Sequence, residues 1–192
     1  MSEVYTGTKF RTVVLSEKPL NDTGVHLLTS WGMQFAKKGL APQTETGHAG
    51  NLSVRTNNGF LISGAGISLA ELNPTSVAEV VSFFINTKKV LSHGIPEPSS
   101  EAFMHGLIYL YRPDVMAVFH GHSDLITSRA PILGFPVTEK EVPYGTIPGA
   151  KMVANILKTE DFCVIKNHGF VTVGSSVDSA GELTLQINST LK

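Results

Sequence analysis

Three histidines follow apolar segments of the chain. His120 and His122 come after the apolar residues 115–119, and His168 comes after a second apolar run, 162–166. Residues i and i+2 of a strand point to the same face, so His120 and His122 can grip one ion. Three neutral imidazoles that leave one coordination position open are typical of catalytic zinc, whereas structural sites are closed and rich in sulfur. The pattern predicts a catalytic metal centre.

The spacing alone leaves an alternative open, because His-x-His pairs also occur in turns that bind no metal. Gly121 between the two histidines is expected to allow a close backbone approach on the opposite side. The single cysteine, Cys163, argues against a closed structural site, and its apolar surroundings indicate a buried structural thiol. Imidazole ligands accept zinc, manganese, cobalt or iron, so the ligand types do not select one metal.

A carboxylate is needed beside such a metal, because an open metal site polarises an oxygen but does not itself move protons. Glu101 is the leading candidate. It follows Ser99 and Ser100 at a predicted helix start, where backbone N–H groups and the helix dipole favour negative charge. The local alternative is that Glu101 only stabilises its helix terminus. His105 lies one helical turn later on the same face, and its role is left open between structural and supporting.

Several short segments have the composition of an anion-binding site. Gly47–Asn51 and Ser63–Gly66 are glycine-rich loops at predicted strand ends, and the two serines before Glu101 offer hydroxyl and N–H groups. Neither loop fits the P-loop or dinucleotide fingerprint, so as isolated loops they are ordinary turns. Glu139 and Glu141 form a further acidic feature, for which the usual interpretation is a solvated face.

The elements that position these residues are irregularly interspersed helices and strands. A first helix is expected after Asp22, with Gly39 as its stop signal. The turn Asn57–Gly59 predicts a hairpin between strands 52–55 and 60–63. A helix is expected from Ser99, its cap, to about Arg112. The remaining predictions are strands at 115–119, 162–166 and 170–173 and helices at 123–129, 148–158 and 177–191, with 76–91 undecided. A mixed α/β layer with an antiparallel-rich sheet follows.

Length and composition limit the classes of protein to which the chain can belong. The 192 residues suit one domain, 1–192, with residues 1–20 as a peripheral segment. A hydrophobic content of 42% excludes a disordered chain, and a formal charge of -1 argues against nucleic-acid or anionic-membrane partners. There is no apolar run of membrane-spanning length and no apolar signal core near the N-terminus. One cysteine fits a reducing compartment, and we expect a cytoplasmic protein.

Five motifs then carry a resemblance to a known family, in that family's order. They are Gly50-Asn51-Leu52-Ser53-Val54-Arg55, Ile62-Ser63-Gly64-Ala65-Gly66, Pro98-Ser99-Ser100-Glu101, His120-Gly121-His122-Ser123 and Asn167-His168-Gly169. Each motif is weak alone, but all five in order are specific. From about Thr23 to its end, the chain resembles the class II aldolase/adducin family, which includes fuculose-phosphate and rhamnulose-phosphate aldolases and ribulose-phosphate 4-epimerase.

This resemblance implies a three-layer α/β/α sandwich around a largely antiparallel central sheet, assembled as a homotetramer with active sites at subunit borders. It implies zinc bound by His120, His122 and His168, and Glu101 as the proton-transferring glutamate. The epimerase-like members carry aspartate there, so glutamate favours the aldolases. The residues implied to hold the substrate phosphate are Gly50, Asn51, Ser63, Gly64, Ser99 and Ser100.

The implied activity is cleavage or formation of a carbon–carbon bond in a ketose phosphate, through an enediolate that the metal stabilises. Two departures affect the substrate. The segment from Arg129 to Tyr144 is shorter than in fuculose aldolase-like members and lacks their tyrosine, and a C-terminal extension with a second tyrosine is missing. The acid on the aldehyde side is therefore unassigned.

Two alternatives accompany the aldolase interpretation. Residues 135–141 resemble the segment that carries the acid/base glutamate of methylthioribulose-phosphate dehydratases, where Glu141 would take that role. Those dehydratases usually lack the pattern Ser99–Glu101, so the aldolase stays ahead of a dehydratase or 4-epimerase that uses the same metal. A non-catalytic, adducin-like interaction module is the third hypothesis. Such a module has no reason to retain three ligand histidines and an acidic base.

Overall fold

The computed structural model describes residues 7–44 and 47–192. The strands are β1 (Arg11–Ser16), β2 (Gln43–Thr44), β3 (Gly47–His48), β4 (Asn51–Arg55), β5 (Phe60–Ser63), β6 (Val77–Phe84), β7 (Lys89–His93), β8 (Ala117–Gly121), β9 (Phe162–Ile165) and β10 (Gly169–Gly174). The α-helices are α1 (Thr23–Lys37), α2 (Ala102–Tyr111), α3 (Asp124–Arg129), α4 (Ile147–Ile156) and α5 (Val177–Thr190).

Eight strands form the central sheet, in the order β1-β7-β6-β5-β4-β8-β10-β9. Every neighbouring pair is antiparallel except the pair of β1 and β7, which is parallel. The predicted antiparallel-rich sheet is thus confirmed. Strand β8 lies inside the sheet between β4 and β10, so its side chains are covered on both faces.

Helices cover both faces of the sheet, and alternation along the strands separates two cores. Phe119 of β8 packs with α1, α3 and α5, whereas the adjacent Val118 packs with α2 and α4. Residues of the first core include Leu28, Phe35, Ile126 and Ile187, and residues of the second include Phe103, Leu107, Val153 and Val171. Successive side chains of a strand point to opposite faces, so two helical layers are required to bury them. This is the predicted three-layer sandwich.

Several local predictions are confirmed. The side chain of Asp22 accepts a hydrogen bond from the Gly24 N–H at 2.7 Å at the start of α1. After the helix, Gly39 has a φ of +71°, which favours glycine. Strands β4 and β5 form the predicted hairpin. The undecided segment 76–91 contains the paired strands β6 and β7.

Two boundaries differ from prediction. Helix α2 begins at Ala102, and its N-cap residue is Glu101, whose side chain makes no capping hydrogen bond. Ser99 is not the helix cap, because its hydroxyl accepts from the Glu101 N–H at 3.3 Å in the turn before the helix. Strand β8 begins at Ala117 rather than Val115, so His120 lies inside the strand.

Cys163 is buried in β9, and burial raises the pKa of its thiol to about 12. A protonated, inaccessible thiol agrees with the predicted structural role. No helix in the described ranges combines the length and apolarity that crossing a membrane requires.

Candidate metal centre

The three predicted ligand histidines come together. The Nε2 atoms of His120 and His122 are 3.0 Å apart, and ligand nitrogens of all three rings lie within 4.8 Å of one another. His120 is fully buried, and His122 and His168 are partly exposed. The cluster therefore has one side inside the protein and another open to a ligand.

The sheet register explains this convergence. His120 lies opposite Val171 of β10, while His168 immediately precedes β10 in the tight turn from β9. Asn167 occupies that turn with a φ of +58°, a conformation that asparagine tolerates better than most residues. Antiparallel pairing of β8 with β10 thus brings histidines that are far apart in sequence close together in space.

Glycine is required between the first two ligands. A Cβ atom at Gly121 would lie 2.5 Å from the Phe170 ring and 2.9 Å from the backbone oxygen of Leu40. The close backbone approach expected from the sequence is therefore present. At Gly169, a Cβ atom would lie 2.4 Å from the backbone oxygen of Gly121. Small residues on both strands let the histidine-bearing segments approach.

The donor set fits a divalent transition metal. The Nδ1 atom of His120 lies 2.8 Å from the carbonyl oxygen of Phe170 and donates to it, which leaves the lone pair of Nε2 in the cluster. Burial lowers the pKa of both His120 and His122, which favours the neutral imidazole that metal ligation requires. Three converging imidazoles of this kind are a donor set that such a metal accepts.

Glu101 lies against the same cluster. Its Oε2 atom is 3.0 Å from Nε2 of His120, and its Oε1 atom is 3.5 Å from Nε2 of His168. Burial alone would raise the pKa of Glu101, but His120, His168 and the amide of Asn51 hold that pKa well below its usual value. The carboxylate is therefore ionised and can accept a proton beside the metal site.

Asn51 has a role that the sequence did not reveal. Its Nδ2 atom donates to Oε2 of Glu101 at 2.9 Å. The contact arises because Asn51 of β4 lies directly opposite His120 of β8 in the sheet. No local sequence pattern predicts this register. The sequence indicates only that Asn51 lies at a strand end beside a glycine.

The predicted phosphate-binding segments also meet. The Ser99 N–H donates to the Ser63 carbonyl at 3.1 Å, and Gly64 pairs with Pro98 in an isolated bridge. Ser63, Ser99 and Ser100 are all buried, and the last two directly precede Glu101 in the chain. At Gly50 the φ is +84°, and a Cβ atom would lie 2.9 Å from the His120 carbonyl oxygen. The segments thus meet at the start of α2, where Glu101 lies.

Glu141 lies outside the histidine cluster, with an exposed side chain. Its Oε2 atom accepts from Nδ2 of Asn167 at 2.8 Å, and Asn167 precedes the ligand candidate His168. Glu139 is also exposed. Glu141 therefore contacts the chain neighbour of His168 and lies outside the histidine cluster.

A small apolar cavity beside Glu101 and His168 was not anticipated. Its volume is about 20 Å³, enough for roughly one group of the size of water or methyl. Its lining includes the side chains of Met104, Val142, Tyr144, Ala150, Val153 and Ile165. These residues come from α2, α4, β9 and the loop before α4, which sequence periodicity does not bring together.

The buried imidazoles predict that the metal-free protein is acid-labile. Burial lowers the pKa of His105 to about 3, and those of His120 and His122 also fall. Below pH 6.5 the unfolded chain binds more protons than the folded one, so the free energy of unfolding decreases as the pH falls. From pH 6.5 to 5, His105 alone accounts for about 2 kcal/mol.

The melting temperature of the metal-free protein between pH 8 and pH 5 measures this effect. The variant His105→Gln should show a shallower decrease, and a substitution of the exposed His26 by glutamine provides the control. A melting temperature that is constant or rises toward pH 5 would contradict the expectation.

Comparison with known proteins identifies the family. The class II aldolase and adducin N-terminal domain matches residues 27–192. The chain belongs to this family. It is 29% identical over 157 residues to the 5-methylthioribulose-1-phosphate/5-deoxyribulose-1-phosphate aldolase of Rhodospirillum rubrum, a match that covers 73% of the chain and 68% of that relative.

Further class II aldolases share its sequence and fold. The L-fuculose phosphate aldolase of Methanococcus maripaludis is 31% identical over 148 residues, which cover 70% of the chain and 77% of the relative. The solved structure of the L-fuculose-1-phosphate aldolase of Thermus thermophilus superposes with a TM-score of 0.71 at 25% identity, over 87% of this chain and 90% of that one.

Proposed function

We propose that this class II aldolase-family protein is a metal-dependent lyase that cleaves or forms a carbon–carbon bond in a ketose phosphate. One observation carries the proposal: the buried carboxylate of Glu101 touches two of three converging imidazoles. A proton-transfer group beside an open metal site is the arrangement that enolate chemistry requires.

We further propose that the metal is zinc, held by His120, His122 and His168, because three neutral imidazoles are a common catalytic zinc set. When bound, the metal supplies Lewis-acid stabilisation of the negative charge that develops on the substrate oxygens. The hydrogen bond from His120 Nδ1 to the Phe170 carbonyl orients the ligand and raises its basicity.

The chain's own residues then perform the proton step. In cleavage, the hydroxyl proton on the carbon that becomes the aldehyde passes to solvent, and the adjacent carbon–carbon bond breaks. Its electron pair passes to the three-carbon phosphate fragment as an enediolate. Glu101 takes up a proton from solvent and gives it to the carbon that lost the bond, and in synthesis it removes that proton again. The hydrogen bond from Asn51 holds Oε2 of Glu101 in place during both directions.

Substrate binding is proposed to rest on the loops beside Glu101. The hydroxyl groups of Ser63, Ser99 and Ser100, with the segments at Gly50, Asn51 and Gly64, are proposed to hold the phosphate, because hydroxyl groups are neutral donors in a buried setting. Binding energy at the phosphate would orient the reacting carbons toward Glu101.

Release of dihydroxyacetone phosphate from ketose 1-phosphates by the zinc-loaded protein tests the function. We expect cleavage that is lost on chelation and restored by added metal. Loss of water from the substrate without cleavage would instead support the dehydratase, in which Glu141 acts beside Asn167. A metal-loaded, folded protein inactive on all ketose phosphates would contradict both.

The apolar side chains of the cavity, which lie beside Ser100 and Glu101, are proposed to favour a substrate that buries a group without a hydroxyl there. The relative from R. rubrum is named a 5-methylthioribulose-1-phosphate/5-deoxyribulose-1-phosphate aldolase. A hydroxyl group buried without a partner costs about 1–3 kcal/mol. We therefore expect kcat/KM to be roughly 10- to 100-fold higher for 5-deoxyribulose 1-phosphate than for ribulose 1-phosphate.

Val153→Thr tests the cavity directly, because it adds a hydroxyl to the lining at nearly constant volume. This variant should narrow the ratio of the two kcat/KM values. Val171→Thr alters the same core outside the cavity and should leave the ratio unchanged. Equal kcat/KM for both sugars in the wild-type protein would contradict the preference. A cytoplasmic location is proposed because the single cysteine fits a reducing compartment, and a homotetramer is proposed on the family resemblance.

A further inference from the structure

Side chains of α2 and β4 pair in a ladder. The first rung is the hydrogen bond from Asn51 to Glu101. In the second rung, the Ser53 hydroxyl lies 2.6 Å from Nδ1 of His105 and 2.7 Å from the Tyr109 hydroxyl. All of these side chains are buried, and His105 and Ser53 have no exposed surface. We call these contacts, with the third rung described next, the α2–β4 ladder.

The third rung joins Arg55 to the end of α2. Its Nη2 atom donates to the Tyr109 carbonyl at 2.8 Å, and its guanidinium lies 4.8 Å from the centre of the Tyr109 ring. The helix contributes every fourth residue and the strand every second. Four helical residues rise about 6 Å and two strand residues about 6.6 Å, so the two spacings stay in register across the ladder.

The side chain of the N-cap residue of α2 takes part in the ladder and does not cap its own helix. Glu101 is the N-cap residue of α2, and its side chain makes no capping hydrogen bond. Its carboxylate is instead directed to Asn51 and the imidazoles. The backbone of Glu101 accepts from His105 at 3.2 Å, so the first helical turn links the two residues directly. The contact that fixes the His105 ring against β4 therefore also fixes the backbone of Glu101.

Proton counting defines the state of His105. If Tyr109 donates to Ser53 and Ser53 donates to Nδ1 of His105, each shared proton has an acceptor. This direction leaves only the Nε2–H of His105 unpaired among the described residues, whereas the reverse direction leaves both the Tyr109 proton and the Nε2 lone pair of His105 without a partner. His105 is thus the Nε2–H tautomer. In the described part of the chain, this Nε2 has no hydrogen-bond partner.

We propose that His105, held by Ser53 in the Nε2–H tautomer, is a positioning residue for Glu101. The role rests on the proposed function, because Glu101 is the group whose placement limits the proton step. Breaking the second rung frees the first turn of α2 and moves the carboxylate relative to the imidazoles. A displacement of about 1 Å can lower a rate by as much as 10²-fold.

Ser53→Ala tests the role by kinetics. We expect kcat to fall by roughly 10- to 100-fold, with KM and the bound metal content close to wild type. Tyr109→Phe keeps the Ser53–His105 bond and should have a smaller effect on kcat. The control is Thr184→Val, which removes an equally buried hydroxyl pair with Thr172 (2.8 Å) on the opposite face of the sheet. It should lower the melting temperature without lowering kcat.

An NMR measurement tests the ladder without activity or metal. Long-range ¹⁵N–¹H correlation spectra of the metal-free protein distinguish the two histidine tautomers, and His105→Gln assigns the signal. We expect a neutral Nε2–H ring from pH 5 to 8, with mixed tautomers in Ser53→Ala. An Nδ1–H ring in the wild-type protein overturns the inference.

The two tests separate the failures. If wild-type protein cleaves substrate and Ser53→Ala has the kcat of Thr184→Val, the positioning role is wrong and the proposed function stands. If no substrate is cleaved, the proposed function is wrong. The tautomer of His105 then still shows whether the hydrogen bonds of the second rung run in the inferred direction.

Discussion

Replacing Glu101 with glutamine is expected to lower the turnover number by about 10³-fold while the protein stays folded and loaded with metal. General acid–base catalysis contributes roughly 10²- to 10⁴-fold, and the proposed proton step depends on this carboxylate. Glutamine keeps the size of the side chain, and its carbonyl oxygen can still accept the hydrogen bond from Asn51. It has no exchangeable carboxyl proton to give to carbon, so only the chemistry is removed.

Isotope exchange isolates this step. Wild-type protein with dihydroxyacetone phosphate in deuterium oxide should incorporate deuterium at the hydroxymethyl carbon, and Glu101→Gln should lose this exchange. Because no aldehyde takes part, the measurement is independent of the identity of the second substrate.

Two nearby carboxylates provide the comparison. Glu139 is exposed and lies close to Glu141 in the chain, so Glu139→Gln is the matched control and should keep the exchange rate. Glu141→Gln separates the aldolase from the dehydratase, because only the latter needs Glu141. Full exchange activity in Glu101→Gln, or loss confined to Glu141→Gln, would show that the proton-transferring residue is misassigned.

Replacing His120 with alanine is expected to weaken metal binding by more than about 100-fold, since loss of a supporting hydrogen bond alone costs roughly 10- to 100-fold. His120 is the most buried of the three candidate ligands, and its Nε2 lies 3.0 Å from both His122 Nε2 and Glu101 Oε2. Its loss leaves the Glu101 carboxylate beside a cavity where the imidazole was. Activity should fall with the metal content.

Titration of the metal-free protein with zinc, followed by calorimetry, measures this affinity, and elemental analysis measures the metal content after purification. His26→Ala removes an exposed imidazole of α1 that lies outside the cluster, and it should bind one equivalent as the wild-type protein does. The ligand assignment is wrong if His120→Ala binds one equivalent with unchanged affinity. Circular dichroism of both variants checks that they are folded.

Much of the candidate site was predictable from the sequence, because local spacing decides which side chains share a face. The i, i+2 spacing of His120 and His122 at the end of β8 predicted that they lie on one side, and the motif order identified the family. The turn at Asn57–Gly59 identified the hairpin of β4 and β5, since its residues favour the required backbone angles. Convergence of His168 with the other histidines was expected and is present.

The contacts that hold Glu101 follow from the packing of elements distant in sequence. Its contact with Asn51 depends on β4 lying beside β8, and the bond between Ser53 and His105 depends on α2 lying across β4. Strand order and helix docking result from burying two large apolar cores at once, which no local spacing encodes. The same reason applies to the cavity, because its walls come from α2, α4 and β9, which are distant in sequence and meet only when the second core forms.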